Sequence, residues 1–191
     1  MAKWFVTAKR ADFTKIGETF GISPVLARII RNRDIIEEEE IRKYLQGTIE
    51  DMYDPGLLKD MDRTVEILLD KISRRKPIRI IGDYDADGIC STFILHKGLL
   101  QAGAAADTAI PHRMKDGYGL NEHLVEDAFQ SGIDTIITCD NGIAAEPQIR
   151  LAKEKGMTVI VTDHHEVPYE ETDGERKYIL PPADAVIDPK Q

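Results

Sequence analysis

Short apolar runs alternate with helical segments from Pro77 to the end of the chain, and this alternation restricts the fold more than any other feature. Runs rich in β-branched residues predict strands at 78–81, 104–110, 135–138, 158–162 and 185–187. Helical spacing of apolar residues predicts helices near 88–102, 120–131 and 143–155. Strands and helices that alternate with short turns form a mostly parallel sheet flanked by helices. We therefore predict an α/β domain over residues 77–191, with one long exposed excursion at 166–183.

Residues 1–76 predict a separate, all-helical N-terminal segment. Apolar residues recur at helical intervals from about residue 22 to residue 73, and the last helix is expected near 60–75. The two parts also differ in charge: residues 1–76 hold 15 basic and 14 acidic side chains, whereas 77–191 hold 10 and 20. The negative charge is therefore concentrated in the predicted α/β domain.

The composition is that of a soluble globular protein, with 42% hydrophobic and 31% charged residues and a net charge of −9. No apolar run approaches the roughly 20 residues that cross a bilayer, and the first residues lack the apolar core of a signal peptide. We therefore expect a cytoplasmic protein with no membrane partner. Cys90 and Cys139 lie in apolar stretches, so we expect both to be reduced and packed.

Acidic and histidine motifs directly follow three of the predicted strands. They are Asp83-Tyr84-Asp85-Ala86-Asp87-Gly88, Asp140-Asn141-Gly142 and Asp163-His164-His165. In extended backbone, residues two apart point to the same side, so the first three aspartates are expected to converge. Because parallel strands end at one edge of a sheet, all three motifs should meet there. The expected cluster contains Asp83, Asp85, Asp87, Asp140 and His164 or His165.

Such a cluster is suited to hard divalent cations. Carboxylate oxygens with one imidazole favour Mn²⁺ or Mg²⁺, and the lack of thiolate ligands argues against structural zinc. This number of anions suits two metal ions. One ion lowers the pKa of a water so that hydroxide can attack phosphorus, and both ions stabilise the charge on the phosphoryl oxygens. The motifs therefore predict phosphoester hydrolysis.

The two histidines are expected to have different roles, because adjacent residues in extended backbone point in opposite directions. We assign His164 as the metal ligand. His165 is left to hydrogen-bond a phosphate or to act in acid–base chemistry, with Asp163 orienting an imidazole.

A fourth segment follows the second predicted strand and contains Arg113 and the glycines of Gly117-Tyr118-Gly119. Glycines let the backbone approach a ligand closely, and Arg113 suits a phosphate because its guanidinium donates two parallel hydrogen bonds. The alternative is a plain connection between strand and helix with a solvated arginine.

Two other interpretations of the first motif remain open. Asp-x-Asp-x-Asp-Gly matches the start of an EF-hand calcium loop, but the twelfth position is Ile94 instead of glutamate and a strand precedes the motif. The second alternative is a solvent-exposed acidic turn.

In combination, the motifs resemble those of the DHH phosphoesterase superfamily, which is named for the Asp-His-His seen here at 163–165. Within it, the chain is most similar to the RecJ family of single-strand-specific 5′→3′ DNA exonucleases. The motifs at 82–88, 117–121 and 140–142 also recur in that family. So do Trp4 near the start and the helical N-terminal segment.

The resemblance implies a nuclease that uses two Mn²⁺ or Mg²⁺ ions to release 5′-mononucleotides from single-stranded DNA, in DNA recombination and repair. It implies metal ligands at Asp83, Asp85, Asp87, Asp140 and His164. It further implies that His165 lies near the scissile phosphate and Arg113 near a DNA phosphate.

Members of that family continue well beyond this length, with a further metal-binding aspartate and a second lobe that helps to hold the nucleic acid. We therefore expect the N-terminal part of a longer enzyme, inactive alone if it needs the C-terminal lobe of its own chain. A negatively charged domain cannot by itself form the positive groove that single-strand binding requires. Two alternatives remain, a small DHH phosphodiesterase or pyrophosphatase and a non-catalytic replication scaffold with the same fold.

Overall fold

The computed structural model describes residues 3, 9–172 and 174–191, so Trp4 of the predicted family pattern lies outside the described residues. The chain forms two compact units, 1–54 and 55–191. None of the helices in the described ranges is both long and apolar enough to span a membrane.

The first unit is helical. It contains α1 (Phe13–Phe20), α2 (Pro24–Asn32), α3 (Glu38–Gln46) and a 3₁₀ turn at Ile49–Asp51. Asp12 and Ser23 cap α1 and α2 by accepting backbone N–H hydrogen bonds, as short polar residues at helix starts commonly do. Gly21 ends α1 in the left-handed conformation, with φ of 65°.

The second unit contains the sheet. After a 3₁₀ turn at Pro55–Leu57, its elements are α4 (Met61–Ser73), β1 (Ile78–Ile81), α5 (Ala86–Gln101), β2 (Ala106–Ala109), α6 (Glu122–Gln130), β3 (Thr135–Cys139), α7 (Glu146–Glu154), β4 (Thr158–Thr162), β5 (Tyr169–Thr172), β6 (Glu175–Tyr178) and β7 (Ala185–Ile187). Helix α4 thus lies in the same compact unit as the sheet, although the sequence groups it with the N-terminal helices. The division into domains 1–76 and 77–191 stays a prediction.

Five strands form one parallel sheet in the order β2-β1-β3-β4-β7. Side chains on its strands alternate between two buried clusters. Ile136 and Val159 belong to one cluster with residues of α6 and α7, whereas Ile80, Ile137 and Ile160 belong to the other with residues of α4 and α5. Burial of each of these side chains contributes about 1.5–3 kcal/mol to the free energy of unfolding. The predicted fold class, a parallel sheet flanked by helices, is confirmed.

The structure also differs from the sequence prediction at the segment 166–183 and at Cys90. The segment 166–183, predicted as one long exposed excursion, contains an antiparallel hairpin of β5 and β6 that the sequence analysis did not predict, and the residues of both strands are exposed. Both cysteines are free, as predicted, but the prediction that Cys90 is packed is wrong, because this residue is exposed on α5, whereas Cys139 is buried. An apolar stretch of helix therefore does not bury every residue within it.

Candidate metal centre

The three acidic motifs lie at the carboxyl edge of the sheet, directly after the neighbouring strands β1, β3 and β4. The strand order reverses direction between β1 and β3, since β2 lies on one side of β1 and all later strands lie on the other. Ligands bind in the crevice at such a reversal, outside the strand ends. The topology therefore supplies the place at which the motif side chains meet.

Asp83 is the most deeply buried carboxylate of the first motif, with 1% of its surface exposed. Its Oδ1 accepts a hydrogen bond from the backbone N–H of Gly119 at 3.3 Å. Its Oδ2 is buried and has no hydrogen-bond partner in the described part of the chain. A buried carboxylate oxygen without a donor is unfavourable unless a cation or a proton neutralises it, so Asp83 fits a metal ligand.

Asp85 and Asp87 belong to the start of α5. Asp85 caps the helix by accepting the N–H of Gly88 at 2.9 Å, and this hydrogen bond lowers the pKa of the Asp85 carboxyl. Asp87 lies in the first helical turn and lines a cavity of about 320 Å³ together with Asp140 and His164. The argument from extended backbone is wrong, because the helix begins at Ala86. Asp83, Asp85 and Asp87 have three different environments.

Asp140 follows β3 in the left-handed conformation, with φ of 62°. Its Oδ1 lies 2.8 Å from Nε2 of His164. Burial raises the pKa of the Asp140 carboxyl, and the charge of Asp85 adds to this increase, although the hydrogen bond with His164 opposes it. Crowded acidic groups of this kind are stabilised by a bound cation.

Asn141 holds the loops around this carboxylate in place. Its side-chain Nδ2 donates to the backbone oxygens of Ile81 and Cys139 at 3.0 and 2.9 Å, and its Oδ1 accepts from the N–H of Leu120 at 3.2 Å. One buried amide thus joins the ends of β1 and β3 to the segment before α6. The sequence analysis placed Asn141 in the motif Asp140-Asn141-Gly142 but gave it no role of its own.

Asp163 orients the imidazole of His165 through a hydrogen bond. Its Oδ2 accepts the N–H of Ile143 at 2.9 Å, and its Oδ1 lies 2.7 Å from Nδ1 of His165. This hydrogen bond raises the pKa of the His165 imidazole, since the carboxylate stabilises the protonated ring.

The expectation that the two histidines point in opposite directions is wrong. Their ring centroids are 4.7 Å apart, because the chain bends after Asp163, whose Oδ1 also accepts the backbone N–H of His164 and of His165. Ligand atoms of Asp140, His164 and His165 all lie within 4.8 Å of one another. The structure therefore brings both imidazoles to one position, although sequence reasoning assigned only His164 to the metal.

Tyr118 is a site residue that the sequence analysis did not identify. Its hydroxyl donates to the backbone oxygen of Asp140 at 3.3 Å and lies 3.3 Å from Nε2 of His165. Burial and the surrounding negative charge, first that of Asp83, raise the pKa of the Tyr118 hydroxyl to about 12. Tyr118 therefore remains protonated at neutral pH. The sequence signals for this residue were its flanking glycines and its place in the motif at 117–121.

Arg113 is connected to the centre through aromatic rings. Its guanidinium lies 5.3 Å from the ring centroid of Tyr84, and Tyr84 contacts Tyr118 edge-on at 6.2 Å. Within the described ranges Arg113 forms no ion pair with a carboxylate. It is exposed beside the cluster, where an incoming anion can reach it.

Asp188 lies at the same edge, after β7. It is 2% exposed, its Oδ1 accepts the N–H of Lys190 at 2.8 Å, and its Oδ2 has no hydrogen-bond partner among the described residues. Burial raises the pKa of the Asp188 carboxyl. The sequence analysis gave this residue no role.

Comparisons with known proteins find related sequences and related structures. The model of the DHH family, N-terminal domain, matches residues 77–191. The chain is 36% identical over 190 residues to the single-stranded-DNA-specific exonuclease RecJ of Bacillus subtilis (strain 168), covering 99% of the chain and 23% of the relative. It is 32% identical over 169 residues to the protein of that name from Escherichia coli (strain K12), covering 88% of the chain and 27% of the relative.

Two solved structures resemble the chain with TM-scores of 0.61. One is the crystal structure of exonuclease RecJ bound to manganese, at 34% identity over 72% of this chain and 33% of the other. The second is RecJ in complex with Mn²⁺ from Thermus thermophilus, at 26% identity over 93% of this chain and 23% of the other. The chain spans about a quarter of the length of the curated relatives it matches.

Proposed function

Because the chain belongs to the DHH family, we propose that it is the N-terminal catalytic part of a metal-dependent, single-stranded-DNA-specific 5′→3′ exonuclease. In this proposal the enzyme is cytoplasmic and hydrolyses phosphodiester bonds in DNA recombination and repair with two Mn²⁺ or Mg²⁺ ions. The observation that carries the proposal is the group of Asp140, His164 and His165, whose ligand atoms lie within 4.8 Å of one another at the sheet edge. The RecJ names of its relatives support the choice of substrate.

The proposed metal ligands are Asp83, Asp85, Asp87, Asp140 and His164. The unpartnered Oδ2 of Asp83 and the raised pKa of the Asp140 carboxyl both fit a bound cation. When bound, divalent ions lower the pKa of a water so that it can attack as hydroxide. The ions also stabilise negative charge on the phosphoryl oxygens. His165 also falls within the ligand group.

The side chains around the ligands have distinct proposed roles. Asp163 holds Nδ1 of His165, which leaves Nε2 directed towards Tyr118 and the cluster. A raised pKa favours the protonated ring, so His165 can donate a proton to a phosphate oxygen or to the oxygen that leaves. In the reaction, the oxygen of water bonds to phosphorus and the water gives up a proton, the bond from phosphorus to the leaving oxygen breaks, and that oxygen takes a proton. Arg113 receives a neighbouring phosphate.

The remainder of the nucleic-acid surface is proposed to come from a C-terminal lobe of the same protein. Residues 77–191 hold 10 basic and 20 acidic side chains, which opposes tight binding of a polyanion. The solved structures that resemble the chain are about three to four times as long as the matched part.

The test is Mn²⁺ binding measured by calorimetry on the 191-residue chain. Asp140→Asn should weaken binding at least tenfold, because it removes a charged ligand from the centre of the group. Glu18→Gln makes the same change of charge in α1 and should leave the affinity unchanged. Equal affinities for the wild type and Asp140→Asn would contradict the proposed metal centre.

The second part of the test is hydrolysis by the intact protein that carries this chain. It should release 5′-mononucleotides from 5′-ended single-stranded DNA in the presence of Mn²⁺, and Asp85→Ala should abolish the release. Unchanged rates in the variant would remove Asp85 from the mechanism.

A further inference from the structure

The hairpin of β5 and β6 has two chemically different faces. Tyr169 pairs with Tyr178 and Glu171 with Arg176, and side chains alternate across a strand. These four residues therefore share one face, which we call the aromatic face. The opposite face carries Glu170, Thr172, Glu175 and Lys177.

The rings of the aromatic face are in contact with each other and open to solvent. The centroids of Tyr169 and Tyr178 are 6.0 Å apart, and the Arg176 guanidinium lies 4.5 Å from the centroid of Tyr169. Tyr169 is 45% exposed and Tyr178 is 58% exposed. Every residue of β5 and β6 is exposed, so the rings do not belong to the protein core.

The hairpin begins close to the candidate metal centre. Tyr169 follows His165 by four residues, and four residues span at most about 14 Å. Val167, between them, is 3% exposed and packs in the core, and the N–H of Ile179 donates to the oxygen of Pro168 at 2.7 Å. The base of the hairpin is thus fixed at the same sheet edge as the acidic cluster.

The charge distribution suits bases more than phosphates. The aromatic face is neutral, with one glutamate and one arginine, whereas the opposite face carries two glutamates and one lysine. Nucleic-acid bases stack on aromatic rings and on guanidinium planes without regard to sequence. A neutral aromatic surface beside a phosphodiesterase site therefore fits unpaired bases.

We infer that the aromatic face of the hairpin is a stacking surface for bases of the single-stranded nucleic acid that enters the metal centre. This inference rests on the proposed function and adds to it a surface that binds bases. The surface is formed by Tyr169, Arg176 and Tyr178.

The experiment compares two fluorescently labelled single-stranded oligonucleotides of equal length, one normal and one abasic, so that only the bases differ. Their binding to the 191-residue chain, which is expected to be weak because the chain lacks a positive groove, is measured by anisotropy at low salt and high protein concentration, with EDTA to prevent cleavage. The wild type should bind the normal oligonucleotide about fivefold more tightly or better, as one stacked base predicts. The double variant Tyr169→Leu/Tyr178→Leu should bind both oligonucleotides alike.

Two further variants separate stacking from general effects. Tyr169→Phe/Tyr178→Phe keeps both rings and should retain the preference for bases. Tyr44→Leu removes an exposed tyrosine of α3 and should also retain it. The inference is overturned when the wild type shows no preference for bases, or when the double leucine variant keeps it.

Mn²⁺ calorimetry on the same protein variants, in buffer without EDTA, distinguishes this inference from the proposed function. The tyrosine variants should bind Mn²⁺ as the wild type does, because none of them changes a proposed ligand. A wild-type protein that binds Mn²⁺ but shows no preference for bases refutes only the stacking surface. A wild-type protein that does not bind Mn²⁺ refutes the metal centre.

Discussion

Replacing Asn141 by alanine should destabilise the second compact unit more than any other single amide substitution at this edge of the sheet. The side chain makes three hydrogen bonds and is 2% exposed. Each bond contributes about 0.5–1.5 kcal/mol, and alanine would leave two carbonyl oxygens and one N–H buried without this partner. We therefore expect the free energy of unfolding to fall by about 3 kcal/mol. For a chain of this size, Tm should fall by about 6–12 °C.

Urea unfolding followed by far-UV circular dichroism measures this effect. The matched control is Asn121→Ala, which removes one hydrogen bond, from the N–H of Leu124 at the start of α6, and should cost about 1 kcal/mol. Mn²⁺ affinity should also fall in the Asn141 variant, because Asp140 is the adjacent residue. A loss of stability no larger than that of the control would show that the three hydrogen bonds do not hold the strand ends together.

Three other substitutions test separate features. Gly142→Ala should lower stability by at least about 1–3 kcal/mol in urea unfolding, because Gly142 has φ of 113°, where a side chain is strained, and an added Cβ would clash with the side chain of Thr138. Asp163→Asn should lower the pKa of His165, measured by NMR titration, because the hydrogen bond that the His165 ring donates to the Asp163 carboxylate is what raises this pKa in the wild type. Asp134→Asn should cost about 1 kcal/mol at pH 7. Burial raises the Asp134 pKa, but the hydrogen bond from Lys71 and other favourable interactions outweigh it and lower the pKa overall. This stabilisation is present above the unfolded pKa of about 3.9 and is lost as the pH falls through the lower folded value, so the two proteins should converge in acid.

The gathering of the three motifs could be predicted because it depends only on topology. The β-branched runs at 78–81 and 158–162 predicted strands with the bounds that the structure has. Once the strands are parallel, residues that follow them must lie at one edge. Asp83, Asp140 and Asp163 were placed by this rule alone.

The orientation of side chains within the cluster could not be predicted, because it depends on the turn after each strand. The bend at His164 and His165 results from hydrogen bonds to one oxygen of Asp163, and nothing in the local residue pattern specifies that bend. Tyr118 was missed for a similar reason. Its segment is distant in sequence from Asp140, and only the folded chain brings the two together.

Burial within helices was equally difficult to predict. Cys90 lies in an apolar stretch of α5, yet its neighbours Ile89 and Phe93 are 54% and 64% exposed. Local hydropathy reports how apolar a stretch is, but which side faces the sheet is decided by the packing of the whole helix.

The left-handed backbone at Asp140 lowers the stability of the fold, whereas the carboxylate of this residue is needed in the proposed metal centre. Glycine adopts this conformation more readily than aspartate does, so the backbone would relax if the carboxylate were given up. Selection for thermal stability alone would therefore favour replacement of Asp140, and the most stable variants should include proteins that lack this proposed metal ligand. Directed evolution of this protein therefore needs a screen for binding of the proposed metal ion as well as for thermal stability.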